Sequence, residues 1–365
     1  MSVLELAPED VCAASLLTAA DIAACRPNQT ELVGLTRRLW AKAAFIGLLA
    51  VTSYLGLVFM VNGLVSGLVV TAVFVFAMIA TATSVMHDAN HGAFGPSRRL
   101  NRVVGFSGDV LGASSWLWRL KHNVLHHANT NVVGMDTDIE QMPFARLAPG
   151  QPHRPWHRYQ HIYIWGLYGF LVVQWVFFSD FANLATGRIG SQSITRRPTR
   201  QQLMSLFAGK AMHVTWAIAV PLAFHRWWVV ALFYLGCSWL LGFTLAVFFQ
   251  MAHCVDVVEF DDPSAARRGN DFAIHQLRTT ANIEFGNSLI NRTMAWLMGG
   301  LHVQIEHHLA PGMPHTSYPA MARRVRQLCH TRGVLYRTHP GMWAALCSHT
   351  RWLKTMGRPL TPQSQ

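Results

Sequence analysis

Eight histidines are spaced so that their side chains could bind metal ions together. They form three short clusters and one single position: His87, His91, His122, His126, His127, His253, His307 and His308. In a helix, a spacing of four residues places two side chains on one face, one turn apart. Imidazole nitrogens suit iron, copper and zinc, and eight of them exceed the four positions of one tetrahedral site. The pattern predicts two metal ions of higher coordination number.

Other histidines show no comparable pattern. A lone histidine at a helix end is more often a capping or hydrogen-bonding residue than a ligand. His153, His157 and His161 also step by four, but Pro152 and Pro155 interrupt the helix that would align them. We assign a structural role to a further set of solitary histidines: His213, His225, His315, His330, His339 and His349.

Four long apolar runs position the clusters. They cover residues 40–61, 64–86, 203–224 and 227–251, and each approaches the roughly 20 residues that a helix needs to cross a bilayer. Very short connectors join them into two hairpins. The second and fourth runs end beside histidines, so the clusters are expected to meet at one membrane face. The sequence predicts an all-α, polytopic membrane protein with four transmembrane helices and a helical cap around the metal site.

The distribution of charge predicts the orientation. The chain carries a net charge of +12, and segment 87–200 is rich in arginine. Such enrichment beside membrane helices indicates the cytosolic side, so both termini and the metal site are expected there. The positive charge of this segment would face anionic headgroups or an acidic carrier. Alternatively, it would serve only to fix the topology. We divide the chain into a cytosolic arm, 1–36, and a membrane domain, 37–365, whose cap comprises 87–200 and 252–365.

Cysteine usage agrees with a reducing compartment. The six cysteines, Cys12 among them, include no CxxC pair and show no spacing typical of disulfides. No nucleic-acid partner is expected. The aromatic segment 162–184 is expected to lie in the membrane interface or to pack on the helix bundle.

Three segments carry a resemblance to a known family. HDANHG, WRLKHNVLHHANTN with GMDTDIE, and GGLHVQIEHHLAPGMPH resemble the three histidine boxes of the membrane fatty acid desaturases, in order and with matching spacing. The resemblance runs from about residue 40 to residue 336. The third box, with Gln304 where many relatives have histidine, resembles the front-end and acyl-lipid branch in particular. The His-Pro-Gly-Gly signature of a fused cytochrome b5 domain does not occur in the sequence.

The resemblance implies a chemistry and a set of ligands. It implies two non-haem iron ions that use O2 as co-substrate to introduce a cis double bond into a fatty acyl chain. Carried over position by position, the family's ligands match the eight clustered histidines. Gln304 and His302 are further candidates, and His302 departs from the asparagine that relatives show after Gly-Gly-Leu. Independently, an unactivated methylene offers no acidic proton, so its oxidation requires a metal–oxygen oxidant rather than acid–base side chains alone.

Carboxylates inside the boxes are candidates to orient the ligands. A ligating imidazole is held in one tautomer when a carboxylate accepts a hydrogen bond from its other nitrogen. We expect this role for Asp88, Asp136, Asp138 and Glu306. The alternative for Asp136 and Asp138 is a simple turn after Gly134.

The resemblance also implies partners, and it leaves alternatives. No iron–sulfur or dinucleotide-binding motif occurs in the sequence, so electrons are expected from an external ferredoxin or cytochrome b5. The acyl substrate would be carried by a membrane lipid, coenzyme A or a carrier protein. A hydroxylase, ketolase or acetylenase on the same iron scaffold is one alternative. A metal transporter is another, but it would place ligands inside the apolar helices, and the second and fourth runs contain no histidine.

Overall fold

The computed structural model describes residues 17–264 and 272–359 and is predominantly helical. The helices are α1 Ala19–Ala24, α2 Gln29–Met60, α3 Leu64–His91, α4 Arg98–Gly105, α5 Ser107–Val110, α6 Ser115–Arg119, α7 Gln160–Tyr168, α8 Leu171–Gln174, α9 Asp180–Thr186, α10 Arg200–Leu222, α11 Trp227–His253, α12 Phe272–Thr279, α13 Leu289–Leu297, α14 Gln304–Leu309, α15 Tyr318–Thr331 and α16 Met342–Met356. Short 3-10 helices cover Pro155–Tyr159 and His315–Ser317, and short strands cover β1 Arg188–Ile189, β2 Gln192–Ser193, β3 Asn282–Ile283 and β4 Thr338–His339.

Helices α2, α3, α10 and α11 are long and apolar enough to cross a membrane, which confirms the predicted polytopic all-α fold. Their bounds differ from the prediction. Helix α2 begins at Gln29, because Asn28 and Glu31 form a capping box there, and it runs through the residue at which the cytosolic arm was expected to end. Residues 1–16 of that arm, including Cys12, lie outside the described part of the chain.

Two membrane helices continue beyond their apolar runs and carry histidines on their last turns. Helix α3 extends to His91 and helix α11 to His253. The end of α3 is reached through a π-helical stretch, Thr81–Met86, and a second stretch, Leu120–His126, follows α6 directly. In this second stretch the amide of His127 donates to the carbonyl of His122, a bond between residues i and i+5. This wider turn brings residues four and five positions onward to the same face.

The aromatic segment packs on the bundle, as expected. Its two halves, Pro155–Tyr168 and Leu171–Thr186, meet at an angle of 71°. Ile164, Tyr168 and Val172 join the main apolar core that α3 and α11 also build. The bend approaches α11 closely, because an added Cβ at Gly242 would lie 2.7 Å from the carbonyl oxygen of Gly169.

The cap closes over the ends of α3 and α11. Helices α12, α14 and α15 share an apolar cluster that includes Leu277, Ile305 and Val325. Strands β3 and β4 pair in parallel and tie the last third of the chain together. Gly299 adopts φ +56° and packs against the backbone of Thr83, which draws the segment before α14 onto α3.

Candidate metal centre

All eight clustered histidines converge on one centre beneath the cap. They are buried, except His91, which is partly exposed. Their candidate ligand atoms form overlapping groups in which every atom lies within 4.8 Å of the others. The first group is His87, His91, His122 and His307; the second is His126, His253 and His308; a third joins His127 to His307 and His308. His127 therefore connects the first group to the second, and a fourth group, His122, His126 and Asp138, also spans them.

The contacts between imidazole rings occur both within these groups and between them. In the first group the ring centroids of His87 and His307 are 4.5 Å apart. Between the groups, the rings of His127 and His308 stack at 4.2 Å. The indole of Trp118 stacks on His122 at 4.4 Å and thereby holds that ring from outside the centre.

Three rings turn one nitrogen outward and the other inward. The Nδ1 atoms of His126, His307 and His308 make hydrogen bonds to surrounding side chains. Their Nε2 atoms are buried and have no hydrogen-bond partner among the described residues. A buried polar atom without a partner is costly, and these ring nitrogens are placed where they could bind a metal ion.

The electrostatic environment favours neutral rings. Burial, reinforced by the neighbouring imidazoles, holds the pKa of His127, His307 and His308 well below its ordinary value. Burial also lowers the pKa of His122 to about 3. A neutral imidazole is the form that binds a metal, so these four rings offer nitrogen donors without first having to lose protons. At His126 the effect of burial is outweighed by the carboxylates of Asp136 and Asp138, which raise the pKa of the ring.

Two of the four predicted carboxylates lie beside His126 of the second group, and one of them also lies beside His122 of the first group. Asp136 accepts a hydrogen bond from His126 Nδ1 at 3.0 Å and from the backbone amide of Asn131 at 2.9 Å. Asp138 lies 3.7 Å from the Nδ1 atoms of His122 and His126 and forms an ion pair with Lys121 at 2.9 Å. Both carboxylates therefore do more than form the turn after Gly134.

The other two carboxylates differ from each other. Asp88 is buried and lies 3.7 Å from His87 Nδ1 through one oxygen. Glu306 makes its hydrogen bonds elsewhere, with Asn282 Nδ2 at 2.8 Å and the hydroxyl of Tyr336 at 2.9 Å. Burial raises the pKa of Glu306 to about 7. Within the described residues, Glu306 thus braces the cap and makes no hydrogen bond to a clustered histidine.

Several residues that contact the histidines were missed by sequence reasoning. Gln276 Oε1 accepts from His308 Nδ1 at 2.8 Å, and its amide donates to the carbonyl of His127 at 3.1 Å. The hydroxyl of Tyr318 lies 3.2 Å from His307 Nδ1 and donates to Met313 O, so it accepts from the ring. Gln276 belongs to none of the three histidine boxes, and only the fold shows which atoms it meets.

The two additional candidate ligands differ in their position relative to the histidine groups. His302 belongs to none of these groups in the described chain, and its buried Nδ1 has no partner there. The amide nitrogen of Gln304 lies 2.9 Å from His253 Nε2, the distance of a hydrogen bond. The solitary His213 has the expected structural role, since its nitrogens lie 3.0 Å from Val110 O and 2.9 Å from the Tyr234 hydroxyl.

An apolar cavity lies deeper in the bundle, on the membrane side of the histidines. It lies between α3, α10 and α11 and is lined by Phe74, Met78, Trp216, Phe233 and Leu241, among others. Most of its exposed wall is apolar, although His213, Tyr234 and Ser238 also line it. Such a cavity accepts an apolar chain far more readily than a polar molecule.

The fold and site define a class: a membrane-embedded helical protein with a buried, histidine-lined centre at the end of its bundle. Comparison with known families specifies it further. The model of the fatty acid desaturase family matches residues 62–340. The chain therefore belongs to the fatty acid desaturase family and is an oxidoreductase that desaturates fatty acids.

Named relatives agree with this assignment. The sn-1 linoleoyl-lipid 6-desaturase of Synechocystis sp. is 34% identical over 291 residues, which cover 78% of this chain and 79% of that protein. The sn-1 linoleoyl-lipid 6-desaturase of Arthrospira platensis is 33% identical over 282 residues, covering 77% and 75%. The acyl-lipid (8-3)-desaturase of Physcomitrium patens is 35% identical over 288 residues, covering 77% of this chain and 58% of that protein.

Proposed function

We propose that this protein is an acyl-lipid desaturase that introduces a cis double bond with a diiron centre and O2. The eight clustered histidines would hold the two iron ions, one ion in the first group and one in the second, with His127 between them. Bound iron would supply the O2-dependent oxidation that an unactivated methylene requires. The observation that carries the proposal is the set of buried, unpartnered ring nitrogens directed into one centre.

The surrounding residues would prepare the rings for this task. Asp136 and Gln276 accept hydrogen bonds from the outer nitrogens of His126 and His308 and so fix their tautomers. Tyr318 does the same for His307. Because these partners are buried, each ring would keep its orientation without rearrangement on metal binding.

We infer a lipid-linked acyl chain as substrate. Relatives are named acyl-lipid and linoleoyl-lipid desaturases, which supports this class. The apolar cavity between α3, α10 and α11 would receive the methyl end of the chain, since it lies in the bundle beyond the histidines. Coenzyme A or a carrier protein as acyl carrier would be the alternative outcome of a substrate assay.

We further propose that the histidine centre and both termini face the cytosol and that electrons arrive from an external ferredoxin or cytochrome b5. The basic residues of segment 87–200 support this orientation. A positively charged face would also attract an acidic electron carrier. Cysteine labelling of intact cells at a position in this segment would test the orientation, and labelling from outside would contradict it.

The test is expression in a host with a defined lipid pool, followed by mass spectrometry of acyl chains with double-bond localisation. We expect a new unsaturated chain that is absent with His307→Ala. A hydroxylated, oxo or triple-bonded product would assign one of the other reactions of the same scaffold. Purified protein should contain two irons, and His126→Ala should lose iron and turnover together. A His126→Ala protein with two irons and full turnover would refute the ligand assignment.

A further inference from the structure

Lys42 is the lysine of membrane helix α2, and its ammonium group is directed toward the cap. It donates a hydrogen bond to the carbonyl oxygen of Trp296 at 2.6 Å and lies over the Trp296 ring at 4.4 Å. It also lies 3.1 Å from His315 Nε2. An ammonium group can only donate, so His315 Nε2 must accept and its proton must reside on Nδ1.

His315 in turn donates hydrogen bonds to the carboxylate of Asp88. Its Nδ1 lies 2.8 Å from Asp88 Oδ2, and its backbone amide donates to the same oxygen at 2.9 Å. Asp88 is 1% exposed and follows His87 directly in the chain. Its other oxygen lies 3.7 Å from His87 Nδ1. Lys42, His315 and Asp88 therefore form a hydrogen-bonded chain that starts on the first membrane helix and ends at a carboxylate 3.7 Å from His87 Nδ1, too far for a hydrogen bond but close enough for an electrostatic contact.

Burying the Asp88 carboxylate removes its charge from water, which costs considerable free energy. The carboxylate is stable only if paired and hydrogen-bonded, and the two N–H groups of His315 and the nearby charge of Lys42 provide these partners. Carboxylates beside the outer nitrogen of a ligand histidine orient the ring and increase its basicity. The sequence pattern classed His315 as solitary, and nothing in the ligand set requires Lys42.

We propose that Lys42 and His315 are positioning residues of the metal centre, which hold the Asp88 carboxylate in place and through it fix the ring of His87. The inference rests on the proposed function, since it takes His87 as an iron ligand. Among the described contacts, neither side chain is hydrogen-bonded to a clustered histidine, so both act through Asp88.

The test compares Lys42→Met and His315→Leu with Lys42→Arg in purified full-length protein. Iron retention against a chelator is measured by mass spectrometry, and Mössbauer spectra are recorded after loading with enriched iron. We expect Lys42→Met and His315→Leu to lower iron affinity about 10- to 100-fold at one of two sites and to change the spectrum of that iron. Lys42→Arg keeps the positive charge and the hydrogen-bond donors, so its iron affinity and its Mössbauer spectrum should stay close to those of the wild type. In turnover, kcat should fall while KM is unchanged.

His213→Leu is the matched control. His213 is also a buried histidine with a partner at each ring nitrogen, but it lies outside the metal-binding groups. The His213→Leu substitution should lower the melting temperature of the protein without changing its iron affinity. Wild-type affinity and spectrum in Lys42→Met or His315→Leu would overturn the inference, as would a change no larger than that of His213→Leu. Wild-type protein without iron would instead refute the proposed function. Should either Lys42→Met or His315→Leu fail to fold, the other measures the same effect.

Discussion

Asp136→Asn is the substitution that tests the outer support of the centre most directly. The Asp136 side chain is fully buried. One of its oxygens accepts from His126 Nδ1 and from the amide of Asn131, and the other accepts from the amide of Asp138 at 2.9 Å. Asparagine has the same shape but provides one acceptor and one donor group. Whichever way the amide turns, at least one donor in the protein is left facing another donor.

The magnitude follows from that mismatch. A buried donor without an acceptor costs about 1–3 kcal/mol. At about 1.4 kcal/mol per factor of ten, this cost corresponds to roughly 5- to 150-fold in an equilibrium constant. Losing the carboxylate beside His126 also makes the ring less basic and therefore a weaker metal ligand. We therefore expect Asp136→Asn to reduce iron affinity by about 10- to 100-fold, in the second histidine group rather than in the first.

The assay is iron content per protein during titration with a chelator, together with desaturated product per enzyme. Asp180→Asn is the control, because Asp180 is also a buried carboxylate, paired with Lys210 at 2.6 Å and with the amide of Ser114. The control should lose thermal stability and keep its iron affinity. If Asp136→Asn binds iron and turns over like the wild type, the proposed role of the carboxylate is refuted.

Three further substitutions test other parts of the site. Gln276→Leu removes the acceptor for His308 Nδ1 and should cause loss of one iron per protein, as measured by metal analysis; retention of both would contradict the role. His302→Asn should retain both irons, because His302 lies outside the histidine groups; loss of one would make it a ligand. Gly299→Ala should lower the melting temperature more than Gly333→Ala. Both glycines have positive φ, which costs about 1–2 kcal/mol for alanine, but only at Gly299 does the new methyl group meet the α3 backbone. Equal shifts would contradict this packing argument.

Much of the fold could be predicted from the sequence because membrane helices are specified locally. A run of about 20 apolar residues is sufficient to predict a span, so all four were found. The ends were less certain, because polar capping and π-helical turns extend helices beyond their apolar runs. The start of α2 at Gln29 depends on a capping box, and the extension of α3 to His91 passes through the π-helical stretch Thr81–Met86.

The sequence by itself determined the eight candidate metal ligands, since residue type, cluster spacing and position at the ends of apolar runs are all properties of the linear chain. Only the tertiary structure decided which groups they form and what supports them. Gln276, Tyr318 and His315 reach the centre from separate elements of the cap, so no local pattern connects them with their partners. Glu306, although it adjoins a clustered histidine in sequence, points to Asn282 and Tyr336 instead. Neighbours in sequence on a helix point in different directions, whereas hydrogen bonds depend on distance in space.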